Sequence, residues 1–273
     1  MTLNRCPRFR ATWRGGWPLV VRALVAGWII CGCAGRIPAP GERRISPAAE
    51  KWLGTLAGQS AAPVRFKGCG RYRLKTADGT FSGRMAWAVI RPDRFRAEIL
   101  DLTGRPFTTV ASDGRWLYAD LKAEKKFYKK SGTRALFKHV AGLPATVEEM
   151  ATLLSGRVPV HAWQAADVGS RGPSADETPG PVLVLKDKWN RRLEEIWFDA
   201  ATRAPVRMIM YTAAGLFAYQ VDFGDRLQRE GHAFFRKLSF HNGDGTGLTI
   251  RTDRVWPDAE LSPAIFTLRN PYP

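Results

Sequence analysis

From residue 64 onward, apolar and polar residues alternate with a period of two, in runs too short for anything but β-strands. "FSGRMAWAVI" (81–90) sets Phe81, Met85, Trp87 and Val89 on one face, and "RFRAEIL" (94–100) does the same with Phe95, Ala97 and Ile99. "RWLYAD" and "KKFYKK" add two short strands. After residue 180 come "PVLVLKD", "RRLEEIWFD", "APVRMIMYT", "LFAYQVDFG", "AFFRKLSFHN" and "GLTIRTDRVW". Phe217, Tyr219, Val221 and Phe223 form one row. Val206, Met208 and Met210 form a second, and Phe234, Leu238 and Phe240 a third. Asp-Gly pairs at 78–79 and 113–114 mark hairpin turns. "NGDGTG" (242–247) is glycine-rich but sits between two strands, which makes it a hairpin; a phosphate loop needs a following helix.

Three segments change to a helical period. In "SPAAEKWLGTLAG" (46–58), Ser46 can cap the helix and Pro47 suits its first position, with Trp52, Leu53, Leu56 and Ala57 as the apolar stripe. "TRALFKHVAGL" (133–143) is a second helix. "TVEEMATLLSG" (146–156) is a third, with Thr146 and Glu149 at capping-box spacing. "GSRGPSADETPG" (169–180) reads as a disordered loop. The order is one helix, about five strands, two helices and about six strands, which predicts a mainly β chain built on one highly curved antiparallel sheet of about eleven strands in meander order. Such a sheet has no second sheet to pack on, so its concave apolar face must meet a lid or a ligand. Trp87, Phe95, Met208, Phe217, Tyr219 and Phe234 are the candidate lining residues of an apolar cavity there.

The N-terminus differs in kind. Arg5, Arg8, Arg10, Arg14 and Arg22 precede an uncharged run, "ALVAGWIIC", with no acidic residue among the first 22. The run is far short of the roughly 20 residues a bilayer span needs, and its basic lead-in is that of a secretory signal. The run ends in Ile30, Cys31, Gly32 and Cys33, which resembles the bacterial lipobox, with Cys33 as the lipidated residue. That resemblance implies cleavage before Cys33 and a lipid anchor on it, and Ala34 in the next position fits the outer membrane, on its periplasmic side. Two acyl chains anchor stably where one is marginal. The alternatives are a plain signal with incidental cysteines, or a CxC metal site, for which no neighbouring ligands are at hand. The expected organisation is a signal peptide at 1–32, a flexible Pro/Gly/Arg tether at 33–45 and one domain at 46–273. Removing the leader's five arginines lowers the net charge from +17 to +12. Cys69 is then the remaining free thiol candidate, expected to be buried, and no intramolecular disulfide can staple the fold.

The residues give an enzyme little to work with. His139, His161, His232 and His241 are scattered, and neither HExxH nor GxSxG occurs. Glu194 and Glu195 are adjacent on a strand, so they point to opposite faces and read as surface charge. No cofactor and no metal is implied. The basic residues are spread along the chain and export argues against nucleic acid as partner. The densest cluster, "KAEKKFYKK" (122–130), is a solvated hairpin or a contact for anionic lipid headgroups, each basic residue contributing about 1 kcal/mol near a charged surface.

"FKGCGRYRL", "GRMAWAVIRPDRFRAEILDLTGRP", "DGRWLYADLKAEKKFYK", "LLSGRVP" and "LSPAIFTLRNP" together resemble the LolA/LolB lipoprotein carrier–receptor group, over most of residues 46–273. The resemblance implies a half-open β-barrel with a helical lid, a monomer, holding the acyl chains of lipoproteins or other lipids. The lipobox points to the anchored LolB side: a receptor and insertion protein, with a LolA-like periplasmic carrier as partner. LolB carries an apolar side chain protruding from a loop just before a glycine. Aligned on Gly104 of "DLTG", that position is Thr103, and Leu102 is its apolar neighbour. The alternative is an envelope structural or signalling lipoprotein that keeps the fold without a transfer role.

Overall fold

The computed structural model describes residues 43–58, 62–132, 142–170 and 180–272. The signal segment, Cys33 and nearly all of the tether lie outside the described residues, as do residues 133–141 of the second expected helix and 171–179 of the expected loop. Gly169 and Ser170, read as the start of that loop, close a strand instead.

Sixteen strands are present among the described residues, more than the eleven expected. β1 (Arg44–Ile45) and helix α1 (Pro47–Ala57) lead into β2 (Arg65–Thr76), β3 (Gly79–Ile90), β4 (Arg94–Leu100), β5 (Pro106–Asp113), β6 (Trp116–Leu121) and β7 (Lys126–Ser131). Helix α2 (Val147–Leu154) follows, then β8 (Ala165–Ser170), β9 (Pro181–Lys186), β10 (Arg192–Phe198), β11 (Pro205–Tyr211) and β12 (Phe217–Phe223). The chain ends with β13 (Arg226–Arg229), β14 (His232–Phe235), β15 (Lys237–Asn242) and β16 (Gly247–Pro257), and a 3₁₀ turn at Pro263–Phe266. The extra strands are ones that periodicity hides. β1 is two residues long and pairs in parallel with β8. The run at 233–242 breaks at Arg236 into β14 and β15, which belong to different sheets.

Fourteen strands form one open sheet, in the order β1-β8-β9-β10-β11-β12-β15-β16-β2-β3-β4-β5-β6-β7. This is not the simple meander expected: the last long strand, β16, inserts beside β2 and joins two meanders edge to edge. Residues directly paired across an antiparallel ladder share a face. Leu183, Ile196, Met208, Val221, Phe240, Leu248, Leu74, Phe81 and their onward partners therefore trace one continuous apolar concave face. Beyond Phe81 the same face carries Met85, Ile99, Thr108 and Leu121.

Three elements cover part of that face. α1 is capped by Ser46, whose Oγ accepts from Ala49 N at 3.2 Å, and lays Trp52 on Phe198 with ring centroids 4.4 Å apart. The β13–β14 hairpin sets Phe234 against Phe66, centroids 6.0 Å apart. α2 has the expected capping box: Glu149 N–H donates to Thr146 Oγ1 at 3.1 Å, and the Glu149 carboxylate accepts from Thr146 N–H. The C-terminal segment crosses the convex side of β4–β6. Arg96 Nη1 donates to Ile265 O at 2.7 Å, Tyr272 Oη donates to Asp120 Oδ1 at 2.8 Å, and Phe266 is fully buried between them.

Candidate functional site: an apolar cavity and a buried carboxylate–histidine cluster

Covering elements leave the β3–β7 half of the concave face open, and a cavity of about 960 Å³ lies there. This is at the upper end of the roughly 300–1,000 Å³ usual for small-molecule sites. Its floor is Met85, Phe95, Ala97, Ile99, Val110, Leu117 and Ala119, and α2 supplies Met150 and Leu154 as one wall. β16 and β2 close another side with Ile250, Leu248 and Tyr72. The charged lining residues are Glu124, Lys129 and Lys130, all on the β6–β7 connection and edge strand β7. The cavity is thus apolar within and charged at one rim. A second recess of about 540 Å³ lies on the convex side, between the C-terminal segment and β4–β6. Its walls include Arg96, Lys122, Lys125, Asp120 and Arg269; it is a polar seam between strap and sheet.

Of the six expected lining residues, only Phe95 faces this cavity. Trp87, Met208, Tyr219 and Phe234 are buried in the core that the covering elements complete. Phe217 leaves the row altogether. A bulge at Ala218 pairs Phe217 with Tyr211, on the convex face, and its side chain is 45 % exposed. A second bulge removes Val206 from the Met208 row in the same way. The structure substitutes Ile99, Val110 and Leu117 as lining residues. The alternation of β4 identified the correct face there, but nothing local says which half of a face remains uncovered. The "DLTG" loop is a tight turn: Gly104 has φ +87°, and Asp101 accepts from Thr103 Oγ1 and Arg105 N–H at 2.7 and 2.8 Å. Thr103 thus turns back onto Asp101, and Leu102 projects entirely into solvent.

The second assembly is one that sequence reading missed. Glu194 and Glu195 do point to opposite faces, but both are buried, not surface charge. Glu195 meets Arg192 at 3.1 Å on the convex side. Glu194 meets His161, whose Nδ1 and backbone N–H both lie 3.1 Å from Glu194 Oε2. The other ring nitrogen, Nε2, is 2.8 Å from Glu149 Oε1 on α2. Burial works against charge on the ring, but the two carboxylates outweigh it and hold His161 up at about 10. Glu149 is likewise buried, and the hydrogen bond and charge of His161 pull its carboxyl below the usual range. Burial raises Glu194, and burial with the Glu149 charge raises Tyr219 well above a free phenol. Both ring nitrogens are engaged by different carboxylates, so the cluster ties α2, the 157–163 segment and β10 together. The three partners are 12 and 33 residues apart in sequence, and only the position of Glu149 in the capping box is a local signal.

The described residues thus form an open, strongly curved sheet with a helix beside an apolar cavity. Solved structures share this architecture. A domain described as an outer-membrane lipoprotein-sorting protein from Vibrio parahaemolyticus superposes with a TM-score of 0.52, at 12% identity, covering 80% of this chain and 96% of that one. A DUF1329 family protein from Desulfovibrio piger gives 0.50 at 12% identity, over 81% of this chain and 96% of that one. A LolA superfamily protein from Nitrosomonas europaea gives 0.49 at 12%, over 81% and 97%. No family model and no curated protein matches the sequence. The likeness is of fold alone: this chain shares the fold of the Vibrio parahaemolyticus domain and the Desulfovibrio piger protein. No helix among the described residues is long and apolar enough to cross a membrane.

Proposed function

We propose that this protein is a lipid-anchored envelope lipoprotein that holds the acyl chains of lipoproteins or other lipids in its concave cavity and passes them to the outer membrane, in the manner of a LolB receptor. The observation that carries this reading is the cavity's chemistry. About 960 Å³ of apolar space opens beside a helix, with charge confined to one rim, which suits an amphiphile with a hydrocarbon tail. Apolar walls without a convergent set of polar groups fit binding and release, not bond-breaking. In this reading Cys33 carries the anchor, the cargo arrives from a LolA-like carrier, and the Leu102–Gly104 turn meets the membrane.

Binding of a fluorescent fatty-acid probe to the purified protein tests the cavity. Ala97 is on the cavity floor, on a strand with Phe95 and Ile99. Ala97→Trp fills the space from a rigid strand and is expected to weaken probe binding severalfold while the fold persists. A wild-type protein that takes up no probe would remove the basis for the reading.

A further inference from the structure

Leu102 in the β4–β5 turn, Leu216 in the β11–β12 turn and Trp189 in the β9–β10 turn are the most exposed large apolar side chains among the described residues, at 101%, 67% and 63%. Antiparallel register puts all three turns at the same end of the sheet. β4 ends opposite the start of β3, β3 starts where β2 ends, and β16 starts there too. β15 ends and β12 starts at that end, as do the end of β11 and the start of β10. Trp189 and Leu216 lie far along the rim from Leu102, but their own turns touch: a Cβ on Gly215 would be 3.7 Å from Arg191 Cβ.

Both turns are held rigid by their own hydrogen bonds. Asp187 accepts from Trp189 N–H at 2.8 Å, and from Arg191 N–H and Nε at 2.9 and 2.7 Å. Thr212 Oγ1 accepts from Leu216 N–H at 3.2 Å, and Thr212 O from Gly215 N–H at 2.8 Å. The indole of Trp189 stands out in solvent on this turn. It does so between two cations: Lys188 Nζ is 4.3 Å and Arg191 Cζ 4.4 Å from the ring centroid. Arg191 shares Asp187, which leaves the turn one positive charge in excess. An exposed indole with basic neighbours and an adjacent exposed leucine matches the chemistry of a bilayer interface, where Trp sits at headgroup level and Lys or Arg meets anionic lipid. The chain's net charge, +17 in full and +12 without the five arginines of the expected leader, favours the same surface.

We infer that the β9–β10 and β11–β12 turns form a second membrane contact, with Trp189 and Leu216 entering the interfacial layer of an anionic bilayer and Lys188 and Arg191 meeting its headgroups. With the Leu102 turn on the other arm of the rim, the sheet then stands end-on on the membrane with two separated footholds, which fixes its tilt. The inference shares with the proposed function the assumption that this end faces lipid, but needs no cargo in the cavity.

The test uses the full chain with Cys6, Cys31 and Cys69 replaced by Ser and Cys33 left to its lipid, with a bimane label on Leu216→Cys, Leu102→Cys or Val64→Cys in turn and the chain without an added cysteine as the labelling blank. Val64 is 60% exposed and precedes β2 at the opposite end of the sheet. Each labelled chain is incorporated into vesicles of phosphatidylcholine, with or without phosphatidylglycerol, carrying spin-labelled lipid as quencher. The inference expects position 216 to be quenched severalfold more than position 64, and more strongly with phosphatidylglycerol present. Equal quenching at 216 and 64 overturns it. Quenching at 102 but not at 216 also overturns it and leaves the proposed loop contact standing; quenching at 216 but not at 102 supports it and removes that loop contact. A label at 216 shielded from aqueous iodide yet untouched by lipid quencher would assign the patch to a protein partner and overturn the membrane reading.

Discussion

The indole of Trp87 occupies the space over Gly68, its partner across the β2–β3 ladder. A Cβ built on Gly68 would come within 2.5 Å of the ring atoms Cε2 and Cζ2. Gly68 thereby lets a large side chain on the concave face fold down against the sheet, and Trp87 becomes floor under the covering elements instead of a wall of the cavity. Gly68→Ala is expected to destabilise the protein by about 1–3 kcal/mol, the usual range for overpacking. A fall in the urea midpoint with unchanged slope would register it. Unchanged stability would mean that the indole has room to move.

His161 predicts a pH dependence of defined sign. Its folded pKa is about 10 against an ordinary 6.5. A raised cation contributes stability that is complete below the unfolded value and is lost as pH rises through the folded one. His161→Ala should therefore destabilise the protein most near pH 6, and the gap to the wild type should close steadily toward pH 10. Removing one partner leaves Glu194 buried without its counter-charge, which costs about 3 kcal/mol, at the low end for buried pairs because the ring is about one-third exposed. Denaturant titrations at several pH values read this directly. A gap that is constant with pH would show that the ring is held neutral.

These two cases mark what the chain makes legible and what it does not. The alternation of β3 and β4 reveals the concave face residue by residue, and Ser46 and the Thr146–Glu149 box locate both helix starts. Phe217 and Val206 could not be placed by alternation, because one inserted residue at a bulge reverses the pattern that alternation counts. Trp87 and Phe95 carry the same signal and share a face, yet only Phe95 borders open space; which elements cover a face is decided by segments distant in sequence. The same is true of Glu194, whose burial depends on His161 and Glu149 arriving from elsewhere.

Leu102 makes no packing contribution, since its side chain is wholly exposed. Leu102→Glu should accordingly leave stability, fatty-acid probe binding and membrane anchoring unchanged. It should slow the transfer of bound cargo to liposomes. Burying one leucine contributes only about 1.5–3 kcal/mol, enough to orient a tethered domain and too little to hold one on a membrane. Cys33→Ala serves as the contrasting variant, expected to release the protein from membranes. Transfer by Leu102→Glu at the wild-type rate would exclude a LolB-type role for this turn.

The central claim is that hydrocarbon occupies the space between β3–β7 and α2. Native mass spectrometry of the purified chain, followed by identification of what dissociates from it, tests that claim most directly. The account predicts a non-covalent acyl lipid on the wild type, released intact on activation, and its loss in Ala97→Trp at unchanged fold. A wild-type chain that carries no lipid after purification and acquires none from added lipid would contradict it.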